Sequence, residues 1–99
     1  MRYTFEWNPI KAKHNQRKHG VSFDCAAEVF ADRLAISIAD AEHSGEEDRW
    51  ISLGRSRGGR LLVVVHTFLE VSTEECEIRI ISARKATKRE FKRYEETER

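Results

Sequence analysis

The run Leu61-Leu62-Val63-Val64-Val65 constrains this chain more than any other feature. Alternate residues of a strand point to opposite faces of its sheet, so consecutive aliphatics commit both faces to apolar cover. The segment "RLLVVVHTFLEV" (60–71) is therefore expected to be a central strand. Three further strands are expected around it: "LAISIAD" (34–40), "RWISLGR" (49–55) and "ECEIRIISA" (75–83), each short and β-rich. The links "SRGG" (56–59) and "STEE" (72–75) are short enough to require antiparallel hairpins.

Helix signals bracket these strands. Asn8 offers an N-cap, Pro9 fits the first helical position and Gly20 supplies a stop, which defines a helix from Pro9 to about Lys18. Ser22 caps a second helix, whose Phe23, Ala26, Ala27 and Phe30 recur at i, i+3, i+4 and i+7. Thr87 and Glu90 read as a capping box for a last helix to about Thr97, with Phe91 and Tyr94 inward and Lys88, Arg89, Lys92 and Arg93 outward. Ahead of the first helix, Tyr3, Phe5 and Trp7 alternate with polar residues as a short extended arm. The expected fold is α+β: two N-terminal helices, a four-stranded antiparallel sheet and a C-terminal helix, forming one domain over residues 1–99.

Several function classes drop out. The longest aliphatic run is far short of the roughly 20 residues of a membrane helix, and the start MRYTFEW has no signal-peptide hydrophobic region, so a cytoplasmic protein without membrane association is expected. Cys25 and Cys76 lack CxxC or CxxH spacing, which points to free thiols and to no metal framework. No GxxxxGK[ST], GxSxG or HExxH occurs, and no cofactor is implied.

The net charge of +1 hides a segregation. Residues 78–94 carry seven basic side chains (Arg79, Arg84, Lys85, Lys88, Arg89, Lys92, Arg93) against Glu90 alone, while residues 40–48 carry five acids and no Lys or Arg. Sorting of this kind suits an anionic partner on one face; the competing explanation is a solvated helix face. Within "IRIISAR" (78–84), Arg79 emerges from a sheet face and Arg84 stands at the strand-to-helix corner. Guanidiniums fixed in this way can hold a phosphate bidentately or stabilise a phosphorane transition state, although Arg79 could equally pair with Glu77. His66 is a proton-transfer candidate or a satisfied strand histidine. Lys18 and His19, grouped with His14, either favour the negative end of the first helix or contact phosphate. Such a set can cleave RNA without metal, because the substrate's own 2′-hydroxyl is the nucleophile.

The blocks "FEWNPIKAKHNQRKHGVSFDCAAEVFAD" (5–32), "HSGEEDRWISLGRSRGGRLLVVVHT" (43–67) and "IRIISARKATKREFKRYEE" (78–96) closely resemble the BrnT family of bacterial type II toxins. The resemblance implies a RelE-like fold and a ribonuclease that halts translation. It also implies neutralisation by a BrnA-type antitoxin, whose DNA-binding part brings the complex to its operator. Position by position it points to Lys18 and His19 of "KHG", Arg49 of "EEDRW", Arg60 of "GGRLL", Arg79 and Arg84 of "RIISAR", and Glu90 and Tyr94 of the last helix. Arg49, Arg60, Lys85, Lys88, Arg89 and Lys92 are the expected RNA contacts, with Arg79, Arg84, His66, His19 and Lys18 catalytic. The sequence departs from many relatives at "HTFLEV", where Leu69 and Glu70 stand in place of an arginine. A catalytically degenerate module that binds the antitoxin or nucleic acid without turnover is the alternative.

Overall fold

The computed structural model describes residues 1–43, 45 and 48–97. The chain opens with a strand, β1 (Arg2–Glu6), followed by helices α1 (Pro9–His19) and α2 (Phe23–Ala27) and a 3-10 turn at Glu28–Ala31. Strands β2 (Ile36–Ala39), β3 (Arg49–Arg55), β4 (Leu61–Thr67), β5 (Leu69–Glu70) and β6 (Glu75–Lys85) come next, and α3 (Lys88–Thr97) closes the chain. The strands form one six-stranded mixed sheet in the order β1-β6-β4-β3-β2, with β5 also paired to β6.

This corrects the expected architecture of two N-terminal helices, a four-stranded antiparallel RelE-like sheet and a C-terminal helix. The N-terminal arm is a strand running parallel to β6, with Tyr3 opposite Cys76 and Phe5 opposite Ile78. Its period-2 pattern has a direct use: Tyr3 and Phe5 pack on Phe30 at ring-centroid distances of 6.1 and 5.4 Å, and Trp7 meets Phe23 edge-on at 6.0 Å. A parallel pairing joins segments about seventy residues apart, so no hairpin signal announces it. The expected single strand 60–71 is interrupted at Phe68, leaving β4 and the short β5, and β6 lies between β1 and β4.

Local chemistry explains the helices. The Asn8 carboxamide oxygen accepts from the Ile10 and Lys11 N–H groups, and Gly20 ends α1 at φ 68°. Ser22 caps α2 through the Cys25 N–H. Beyond Arg79, β6 has no strand on its β1 side among the described residues, and Asn15 of α1 takes that place. Its side-chain amide donates to the Ala83 carbonyl at 2.8 Å and to the Val21 carbonyl at 3.0 Å, and its oxygen accepts from the Ala83 N–H at 3.1 Å. The carboxamide thus stands in for a peptide unit of a neighbouring strand.

The sheet is covered on both faces. One face packs Leu62, Val64, Ile78, Ile80 and Ala83 against Val21, Phe23, Ala26 and Val29 of the N-terminal helical layer. Gly54 permits the close approach of β3 to that layer, since a Cβ there would lie 2.7 Å from Val29 Cγ1. The other face packs Leu53, Leu61 and Val63 against Tyr94 of α3. The Tyr94 hydroxyl donates to Asp32 at 2.6 Å. Burial alone would raise the Asp32 pKa, but that bond, with N–H donors from Arg55 and Leu34, outweighs burial and lowers it. Phe91, expected to face inward, is exposed and lies under the Arg55 guanidinium at 5.2 Å.

Candidate nucleic-acid interface

Two arginines separated by four residues cannot share a face of a regular strand. In β6 they do, because the strand is bulged. Val65 is opposite Ser82 and His66 is opposite Ile80, so Ile81 has no partner and the alternation resets across it. Ile80 and Ala83 both face the helical layer, which turns Arg79, Ser82 and Arg84 to the α3 side. Arg49 joins them: it is opposite Thr67 at the start of β3 and shares its parity with Leu53, whose side chain packs under α3. The Arg79 N–H donates to Thr67 Oγ1 at 3.2 Å, linking the same row through the backbone.

Arg84 has a partner in the fold. Its guanidinium grips Glu90 bidentately at 2.8 and 2.9 Å, while Glu90 also accepts from the Thr87 N–H at 2.8 Å. The Glu90 N–H returns a bond to Thr87 Oγ1, so the capping box and the ion pair together latch α3 to the end of β6. The Arg84 bond is the main reason the Glu90 carboxyl sits at about 2, and the same bond raises the Arg84 pKa.

Lys18 and His19 lie elsewhere. With Lys11, His14, Asn15, Ile81 and Ser82 they line a cleft of about 240 Å³ between α1 and the unstranded edge of β6. Lys11 was absent from the sequence candidates, yet Lys11, His14, Asn15 and Lys18 follow the i, i+3, i+4, i+7 spacing of one helix face, a signal available in the sequence. Helix α1 carries no acidic residue, so this edge and the adjoining arginine face are both cationic.

His66 stands apart from every one of these groups. It is 2% exposed and faces the helical layer, edge-on to Phe30 at 4.7 Å. Nδ1 donates to the Thr67 carbonyl at 2.9 Å, and Nε2 accepts from the Ser52 hydroxyl at 2.7 Å. Burial pushes its pKa below 6.5, and the bond to Thr67 only partly offsets that. Arg60 donates to the Gly20 carbonyl at 3.2 Å, closing the C-terminus of α1. Lys85, Lys88, Arg89 and Lys92 are exposed at the end of β6 and on α3. Glu46 and Glu47 of the acidic stretch lie outside the described residues. Among the described residues no cluster of three or more His, Cys, Asp or Glu side chains could hold a metal, and no helix is long and apolar enough to cross a membrane.

A family model described as the ribonuclease toxin BrnT of type II toxin-antitoxin systems matches residues 7–90. The chain belongs to the BrnT family. Its fold is similar to the crystal structure of the Brucella abortus ribonuclease toxin BrnT, with a TM-score of 0.59 at 24% identity, over 89% of this chain and 100% of that one. No curated protein matches it. As a member of a type II toxin family, this BrnT-family chain has the role of a toxin, with an antitoxin as the family's counterpart.

Proposed function

We propose that this BrnT-family protein is an endoribonuclease that cleaves RNA without a metal ion, inhibits translation in the cytoplasm, and is neutralised by a BrnA-type antitoxin through which alone it reaches operator DNA. The observation that carries this reading is the bulge at Ile81, which turns Arg79 and Arg84 to one face beside Arg49. Arg79 supplies the guanidinium for the non-bridging oxygens of the scissile phosphate. Arg84, held in place by Glu90, whose carboxylate balances its charge, offers the phosphate its remaining N–H donors without moving. Lys18 and His19, in the cleft that shares Ser82 with the arginine face, handle the proton taken from the 2′-hydroxyl and the one delivered to the leaving oxygen. His66 has both ring nitrogens engaged inside the other face and takes no part in that transfer. Arg49, Lys85, Lys88, Arg89 and Lys92 bind the flanking backbone, while Arg60 serves the helix end first. Purified protein should cleave RNA in EDTA, and Arg79→Ala should slow cleavage by ~100-fold or more. A requirement for added metal, or full activity in that variant, would sink the assignment.

A second reading draws on the dispersal of His66, Lys18 with His19, and the arginines over different parts of the molecule. In it the protein is a catalytically degenerate module that docks the antitoxin without turnover. Expression without an antitoxin separates the two: harmless accumulation of folded protein favours the module, and growth arrest abolished by Arg79→Ala favours the enzyme.

A further inference from the structure

A second concavity lies on the helical-layer face, where β3 begins and β4 ends. Tyr3, Phe30, Ser37, Trp50, His66 and Phe68 enclose about 210 Å³. This is below the roughly 300 Å³ of the smallest pockets for drug-sized ligands, which suits a single ring system. Tyr3, Phe30, Trp50 and Phe68 supply aromatic walls, the first and third also bearing a hydroxyl and an indole N–H, and Ser37 and His66 form the hydrogen-bonded polar end.

The hydrogen bonds give this polar end a direction. The Thr67 carbonyl can only accept, so the His66 Nδ1 at 2.9 Å carries the proton and Nε2 is an acceptor. Ser52 Oγ, 2.7 Å from Nε2, therefore gives its proton to the ring. Ser37 Oγ lies 2.7 Å from Ser52 Oγ, whose own proton is committed, so Ser37 must be the donor in that pair. Having directed its proton to Ser52, Ser37 presents only lone pairs to the pocket. The relay from Thr67 through His66 and Ser52 thus turns an ambiguous hydroxyl into a hydrogen-bond acceptor inside an aromatic enclosure.

We infer that this pocket is a nucleobase subsite that takes an unstacked, amino-bearing base, adenine, cytosine or guanine, between its aromatic walls, with the exocyclic N–H donating to Ser37 Oγ. Flat rings stack on aromatic side chains, and single-stranded RNA offers unstacked bases. Uracil fits less well, because its N3–H is flanked by two carbonyl oxygens that the Ser37 lone pairs repel. Position supports RNA as the source of the base: Arg49 and Trp50 are consecutive at the start of β3 and point to opposite faces, so a strand lying on the arginine face reaches the pocket by rounding the end of the sheet. The inference rests on the ribonuclease reading for the origin of the base, and the pocket's chemistry is testable without it.

Titrating the full chain with adenosine, cytidine and uridine, while following the side-chain NMR signals of His66 and Trp50, tests it directly. Adenosine and cytidine should shift both signals and bind roughly 10-fold more tightly than uridine. Ser37→Ala, at an exposed position, should erase that preference, and Trp50→Leu should weaken binding of all three nucleosides by roughly 10-fold. Silent His66 and Trp50 signals, or uridine binding as tight as adenosine, would overturn the subsite. Assaying RNA cleavage on the same preparation separates the two ideas. Nucleoside binding without cleavage overturns the ribonuclease reading alone, and cleavage without nucleoside binding overturns the pocket alone.

Discussion

The two faces of this sheet are built for different ends. The helical-layer face is closed by Val21, Phe23, Ala26 and Val29, and the buried Asn15, Ser52 and His66 beside them each have hydrogen-bond partners, whereas the buried Ser56 hydroxyl has none among the described residues. The α3 face is closed at one end by Tyr94 over Leu53, Leu61 and Val63, where Arg84 grips Glu90, and its other end carries Arg49 and Arg79. Apolar burial and anion binding compete for the same sheet surface, and the chain resolves that competition by giving one face to each. The difference teaches that histidine and arginine on adjacent strands of one small sheet need not belong to one site.

The sharpest way to break the comparison is to damage the closed face. Phe23→Ala should cost ~3–5 kcal/mol, read as a fall in the denaturation midpoint, because the buried ring has no way to be replaced. On the α3 face, Arg79→Ala should lose ~100-fold or more in RNA cleavage, with its denaturation midpoint reporting any share of the loss that comes from the fold. Asn15→Ala probes the edge between the faces. It strands the Ala83 N–H and the carbonyls of Ala83 and Val21, and should cost ~2–3 kcal/mol in urea unfolding.

The two faces also titrate in separate windows. Glu90 has its folded pKa depressed from 4.5 to about 2, so its stabilisation is present above 4.5 and is lost as pH falls toward 2. Glu90→Gln should therefore cost ~1–2 kcal/mol at pH 7, discounted for partial exposure of the pair, and the gap from the parent should close near pH 2. His66 is held neutral below its ordinary 6.5, so the unfolded chain binds that proton more readily and stability declines as pH drops below 6.5. His66→Gln should flatten that part of the stability profile, whereas Glu90→Gln should leave it in place.

Much of the local structure was legible in the sequence. Asn8, Gly20, Ser22 and the Thr87–Glu90 box act on their own neighbours, so their roles follow from spacing alone, and each cap is where the sequence places it. The aliphatic run 61–65 likewise identified β4 as a central strand, because burial on both faces is a property of the strand itself. The family followed from whole blocks of residues in order.

Tertiary structure alone decided the rest. The parallel pairing of β1 with β6, the substitution of Asn15 for a missing strand and the unpaired Ile81 all depend on partners distant in the chain, and side-chain parity cannot anticipate a bulge that reverses it. That single extra residue brings Arg79 and Arg84 to a common face, while the normal alternation of β4 carries His66 to the other. Residue types fixed which chemistry was available to this protein. Register fixed which of those residues could act together, because it is set by the pairing of whole strands and not by any stretch of sequence taken alone.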